Sequence, residues 1–316
     1  MESKKQLRVL REVKYLSPTG LSLYRKDPIE YFTKYLAVSK PPHLKQTKPM
    51  SVGSAFDAKV KSYLYERAYD SVPNEWQFEN LFESQVDSHN RDFAMSSIVD
   101  TWGLYQKCGC LADLLILLDK SIDVPTFEVR MQRDITTDYG DVTIMGIPDL
   151  LFKTANCNVI LDWKVNGYCA TRNVSPRRGF VCCYPDKLCH KDFYPDMHYG
   201  IPIVADDFSA LYPDWGMQCT TYSWLLGEPV ENRVINMVHQ FAWGKNPRIA
   251  VHAGLVHSGY GTGLYNEYVD LWNRVSSGQI FDDDNDATIE RLNAASATMI
   301  GEGAFQETYR ALVRSQ

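Results

Sequence analysis

The chain has 316 residues, of which 45% are hydrophobic and 23% charged, enough for one large domain or two smaller ones with a substantial core. A formal charge of −6 argues against a surface that binds polyanions everywhere. The balance is uneven, however. Residues 1–62 hold thirteen Lys or Arg against five Asp or Glu, a local +8 that could face phosphates or form a solvated basic face.

The chain opens Met1-Glu2-Ser3-Lys4-Lys5-Gln6, which is charged and followed by no apolar run, unlike a cleaved secretory signal. Ser17-Pro18-Thr19-Gly20 is a turn signal, and residues 21–38 place Leu21, Tyr24, Pro28, Tyr31, Phe32 and Tyr35 at helical spacing, predicting a helix or a broken pair. A Pro- and Lys-rich connection leads to a second helix over 52–69. Residues 88–120 predict packed helices interrupted at Gly103 and Gly109. Within them, the apolar run 111–118 contains Asp113 and is about one third of a membrane span, so it reads as buried helix. No membrane association is expected.

At Phe127 the period changes from helical to alternating. Residues 127–131 and 142–145 predict a hairpin around Tyr139-Gly140-Asp141, and 159–165 a short, largely buried strand. Residues 166–214, rich in Pro, Cys, Asp and Tyr, read as an insertion over a site. A helix over 215–226 ending at Gly227, strands over 234–243 and 249–256, and helices over 267–275 and 287–312 complete the chain. The acidic loop Asp282-Asp283-Asp284-Asn285-Asp286 lacks the Gly and Glu of a calcium loop and reads as a solvated linker. The eight cysteines are scattered through a chain too large to depend on disulfides, and Cys182-Cys183 with Cys189-His190 lacks the paired spacing of ordinary zinc sites. Reduced thiols and an intracellular, cytoplasmic setting are the expectation.

The chemistry concentrates at Gly146-Ile147-Pro148-Asp149 and Asp162-Trp163-Lys164. Asp162 and Lys164 are two apart on a strand and share a face, while Asp149 ends the preceding turn. Burying two carboxylates and an ammonium is costly in a plain core, whereas phosphodiester hydrolysis requires converging acids to hold Mg²⁺ and an activated water. An Asp-x-Lys pair alone is common. Here it is joined by Glu128 upstream and by Gln218 and Tyr222, which lie at i and i+4 on one helical face.

In this order the residues resemble the RecB-like branch of the PD-(D/E)XK nuclease superfamily, which includes phage exonucleases. Ser17-Pro18-Thr19-Gly20-Leu21 with Tyr24 and Asp27-Pro28 is similar to that family's N-terminal motif, and Gly53-Ser54-Ala55-Phe56-Asp57 to its Gly-x-x-x-His helix. The resemblance implies an α/β (α+β) restriction-endonuclease-like core, a central mixed sheet flanked by helices, behind a mainly helical N-terminal part. The boundaries expected are 1–125 for the helical part and 126–316 for the nuclease core, with the insertion and a helical C-terminus.

By the same resemblance Asp149 and Asp162 bind metal directly, with the Trp163 backbone carbonyl a further ligand and Glu128 and Asp57 additional candidates. Lys164 is catalytic, Gln218 and Tyr222 brace the site or touch a phosphate, and Ser17 is a candidate substrate contact. Mg²⁺ is the expected cofactor, replaceable by Mn²⁺. Asp57 stands where many relatives have His, and Asp27 where iron–sulfur members have Cys, so no cluster is expected. No nucleotide cofactor is expected, because the chain has no Walker loop. DNA is the expected partner, with a single-strand annealing or other recombination protein and a homo-oligomer as further expectations. If the phage resemblance holds, the setting is a bacterial or phage-infected cell. The leading function is an exonuclease acting on DNA ends. A structure-specific or nicking endonuclease and a catalytically silent DNA-binding module are the alternatives.

Overall fold

The computed structural model describes residues 11, 13–37, 45–166, 181–184, 187–188, 196–198, 201–203, 213–227, 233–242, 248–255, 258–278, 280–281 and 290. The helices are α1 (Pro18–Lys26), α2 (Pro28–Tyr31), α3 (Lys48–Ala68), α4 (Phe78–Gln85), α5 (Arg91–Lys107), α6 (Cys110–Leu118), α7 (Pro213–Leu225) and α8 (Ser258–Ser277). The strands are β1 (Thr126–Phe127), β2 (Met131–Thr137), β3 (Gly140–Gly146), β4 (Leu150–Lys153), β5 (Asn158–Asn166), β6 (Val181–Tyr184), β7 (Lys187–Leu188), β8 (Asp196–His198), β9 (Ile201–Ile203), β10 (Val234–Ala242) and β11 (Arg248–Leu255). The fold is therefore a mixed α/β one. The helix expected over 287–312 and most of the insertion over 166–214 lie outside the described residues.

Two compact units interleave along the chain. One gathers Met1–Leu44, Met131–Gly146 and Gly261–Gln316; the other gathers Lys45–Arg130 and Ile147–Tyr260.

In the first unit, Ser17 caps α1 by accepting the Gly20 N–H at 3.1 Å, with Pro18 supplying the preset φ of a first helical residue. Asp27 adopts an extended backbone and accepts the N–H groups of Ile29 and Glu30, so it stops α1 and starts α2. The predicted broken pair of helices is present, and its break is this cap. α2 runs on into a π-helical turn, Phe32–Leu36. The hairpin of β2 and β3 turns at Gly140, whose φ of 100° suits glycine, and Leu16 hydrogen-bonds along β3 through Thr143 and Met145.

The hairpin differs from expectation in its first strand, which begins at Met131 instead of Phe127. The reason is Glu128, a non-glycine residue at φ 50°, which breaks the extended run. Phe127 is thereby released to pair with Leu150 in another sheet.

That sheet belongs to the second unit and has the order β1-β4-β5-β10-β11-β6-β7. β5 and β10 are parallel and the other neighbours antiparallel, which makes it a mixed sheet. A parallel pair needs a crossover connection, and α7, between β5 and β10 in sequence, packs on both. β5 is buried on both faces. Val159, Leu161 and Trp163 join the main core with Val52, Phe56 and Leu64 of α3, whereas Asp162 and Lys164 occupy the opposite face.

The core is aromatic at its centre. Phe56 and Phe241 lie 4.1 Å apart between ring centroids, and buried Tyr105 hydrogen-bonds His239 Nδ1 at 2.7 Å. Cys108, Cys110, Cys157 and Cys219 are buried and outside any disulfide. Among the described residues, no helix is long and apolar enough to cross a membrane.

Candidate active site

Strand pairing builds the centre of the site. β4 pairs with β5 so that Leu150 opposes Leu161, which sets Asp149 and Asp162, each the next residue outward, beside one another. The Asp149 N–H donates to Asp162 Oδ1 at 3.0 Å, and the Trp163 N–H donates to Asp149 Oδ2 at 2.8 Å. Each carboxylate thus fixes the backbone of the other's neighbourhood. Lys164, whose side chain is 23% exposed, donates to Asp162 Oδ2 at 3.1 Å. Asp162 is 1% exposed. Burial pushes its carboxyl up and Lys164 counters that shift, while Asp149 adds to it. Burial pulls Lys164 down, but Asp162 and Asp149 outweigh that effect and hold its ammonium charged.

α7 contributes from the second face of the sheet. Gln218 Nε2 donates to the Tyr222 hydroxyl at 2.7 Å, and that hydroxyl donates to the Ile147 carbonyl at 3.1 Å. This relay ties α7 to the backbone of the segment that leads into β4. Cys219, between them on α7, is buried close enough to Asp162 and Lys164 to feel both charges.

α3 contributes Asp57, as the sequence motif implies, and with it Lys61, which sequence reasoning missed. Lys61 is 2% exposed. Its ammonium meets Asp57 Oδ1 at 2.8 Å, Asp149 Oδ1 at 3.3 Å and Glu128 Oε1 in a short contact. Burial pulls this ammonium down, yet Asp149, Asp57 and Glu128 together outweigh it and raise it above the ordinary lysine range. Burial, reinforced by Asp149 and Glu128 and opposed by Lys61, pushes Asp57 up to about 6. The signal for Lys61 was available: it lies one helical turn beyond Asp57, on the same face of α3. Gly53 is less constrained than its motif suggests, since an added Cβ would meet Val165 at an ordinary 3.8 Å.

Asp57, Glu128, Asp149, Asp162, Trp163, Lys164, Gln218 and Tyr222 are all in the second unit, whereas Ser17 is in the first, with its hydroxyl committed to the α1 cap. Four carboxylates and two ammoniums give the cluster a formal −2. Oxygen-only donors of this kind suit a hard divalent cation. As placed, however, three of the carboxylates converge on Lys61, and among the described residues no group of three or more His, Cys, Asp or Glu is arranged to hold a metal ion. In this arrangement the residues grip an ammonium and do not fit a metal.

No protein-family model and no curated protein matches the chain. Among solved structures, the chain is similar to a candidate exonuclease from Eubacterium rectale, at 12% identity over 92% of each chain with a TM-score of 0.45. It is also similar to the protein SSO0001, at 13% identity over 87% of this chain and 91% of that one, with a TM-score of 0.29. Neither likeness is close enough to establish a shared fold.

Proposed function

We propose that the chain is a nuclease of the PD-(D/E)XK type that hydrolyses phosphodiester bonds in DNA, most specifically an exonuclease processing DNA ends with Mg²⁺ or Mn²⁺. The observation that carries this reading is the β4–β5 register, which sets Asp149 against Asp162 with the Lys164 ammonium 3.1 Å from Asp162. A buried carboxylate, a half-buried one and a lysine held this closely are expensive as mere structure. They have a use where a phosphate and an attacking water must be held together. Lys164, tethered by Asp162, supplies a positive charge and hydrogen-bond donors for that water or for a phosphate oxygen. Asp149 is locked by the Trp163 N–H and by the turn that Tyr222 holds, so its carboxylate is preorganised.

The test is incubation with Mg²⁺ and end-labelled linear or closed circular DNA, and with RNA as a third substrate. Loss of linear DNA alone is the expected result. Equal attack on circular DNA would replace exonuclease by endonuclease, and no cleavage of any substrate would remove the nuclease reading. Lys164→Met should lower cleavage by about 10²-fold or more, the scale of a lost charge-stabilising donor, while leaving the circular dichroism spectrum intact.

A further inference from the structure

The first unit holds a cavity of about 300 Å³, at the small end of the range for ligand pockets. One wall is the segment ahead of α1, which is fastened at both ends. The Arg11 N–H donates to the Leu36 carbonyl at 2.8 Å, and the Leu16 N–H donates to the Thr143 carbonyl of β3 at 2.8 Å. Lys14 and Tyr15, between these anchors, are exposed side chains on a fixed backbone. Tyr31 and Tyr35 also line the cavity, with ring centroids 5.3 Å apart. The lining is thus both aromatic and cationic. Arg11 gives one donor to the Ala37 carbonyl at 3.0 Å, and among the described residues neither Arg11 nor Lys14 has a carboxylate partner. Tyr31 is 2% exposed, yet its hydroxyl has no hydrogen-bond partner among the described residues. Such a hydroxyl is costly to withdraw from water unless a ligand supplies the partner.

We propose that this cavity binds one unpaired nucleotide of DNA, with its base against the Tyr15 and Tyr35 rings, a polar base edge on the Tyr31 hydroxyl and its phosphate at Lys14. Aromatic rings accept any base by stacking. A hydroxyl that both donates and accepts suits the mixed polar edge of a base, and an ammonium without a carboxylate suits a phosphate. A simple anion would leave the aromatic wall unused, and a wholly apolar ligand would leave the Tyr31 hydroxyl unpaired. The +8 balance of residues 1–62 agrees with a polyanion as the source of the nucleotide. The choice of DNA rests on the nuclease reading.

Calorimetric titration of thymidine monophosphate, thymidine and inorganic phosphate into the full chain, in EDTA, tests this. The monophosphate is expected to bind more tightly than either thymidine or phosphate. Tyr15→Ala should weaken its binding about fivefold or more, the low end for one lost stacking ring. Lys14→Gln should weaken the monophosphate and leave thymidine unchanged. Tyr31→Phe should weaken both without lowering the melting temperature, because the free protein loses no hydrogen bond. Phosphate binding as tightly as the monophosphate would make this a simple anion site and overturn the proposal. So would the absence of monophosphate binding, or equal binding by wild type and all three variants. DNA cleavage separates the two readings. Cleavage by wild type without these binding losses sinks the nucleotide pocket and spares the nuclease. The binding losses with no cleavage by wild type sink the nuclease and spare the pocket.

Discussion

His239 illustrates at the residue scale what complete burial does to a titratable side chain. It is 2% exposed, its Nδ1 is bonded to Tyr105, and burial lowers its pKa from 6.5 to about 4. The sign follows from proton counting. Between those two values the unfolded chain binds a proton that the folded chain does not, so stability is complete above pH 6.5 and declines as the pH falls towards 4. A depression of this size corresponds to about 3 kcal/mol, a large share of a domain's net stability. His239→Gln, which can still accept from Tyr105, should flatten this limb. Melting temperatures recorded from pH 7 to pH 4 check it, and an acid limb as steep as that of wild type would assign the loss to other groups.

At the scale of elements, α7 acts on the site through two side chains at i and i+4, and that spacing was visible in the sequence. Tyr222→Phe removes the hydroxyl that joins Gln218 to the Ile147 carbonyl. A net loss of about 1 kcal/mol in stability is expected for the hydrogen bonds removed. If the relay positions the Asp149 turn, kcat should fall clearly more than KM rises; an unchanged kcat beside the same stability loss would reduce the pair to ordinary packing. What could be read in advance followed from local chemistry: the Asp27-Pro28 break, the Gly109 and Gly227 ends, and the buried strand carrying Asp162 and Lys164. What could not be read was set by tertiary context. Glu128 takes a positive φ that no β-strand pattern signals, so the expected first hairpin strand is split between two sheets. Lys61 reads as one more charge on a helix until Asp57, Glu128 and Asp149 are assembled around it.

At the scale of the whole molecule, contacts divide the chain into two units that interleave along the sequence. Hydrophobic periodicity reports which face of each element is buried but not which neighbour buries it, so a hairpin inserted into one unit while belonging to the other leaves no local trace. The second unit nonetheless has what independent folding requires. Its core runs from Val52 to Ala253, joining α3, α5 and α6 to β4, β5, β10 and β11, and every member lies within that unit. The segment that interrupts it, Met131–Gly146, begins and ends on residues that face each other across the ladder, so their Cα atoms are only about 5 Å apart. A Gly-Ser link from Arg130 to Ile147 can therefore span the gap left by deleting it. Residues 45–260 joined this way are expected to unfold in one cooperative thermal transition and to keep the acid sensitivity between pH 6.5 and about 4 that His239 confers on the native core. That second criterion matters because a collapsed but unpacked chain would leave His239 hydrated and titrating near its ordinary value. A broad transition without the acid limb would show that the core needs the other unit to pack.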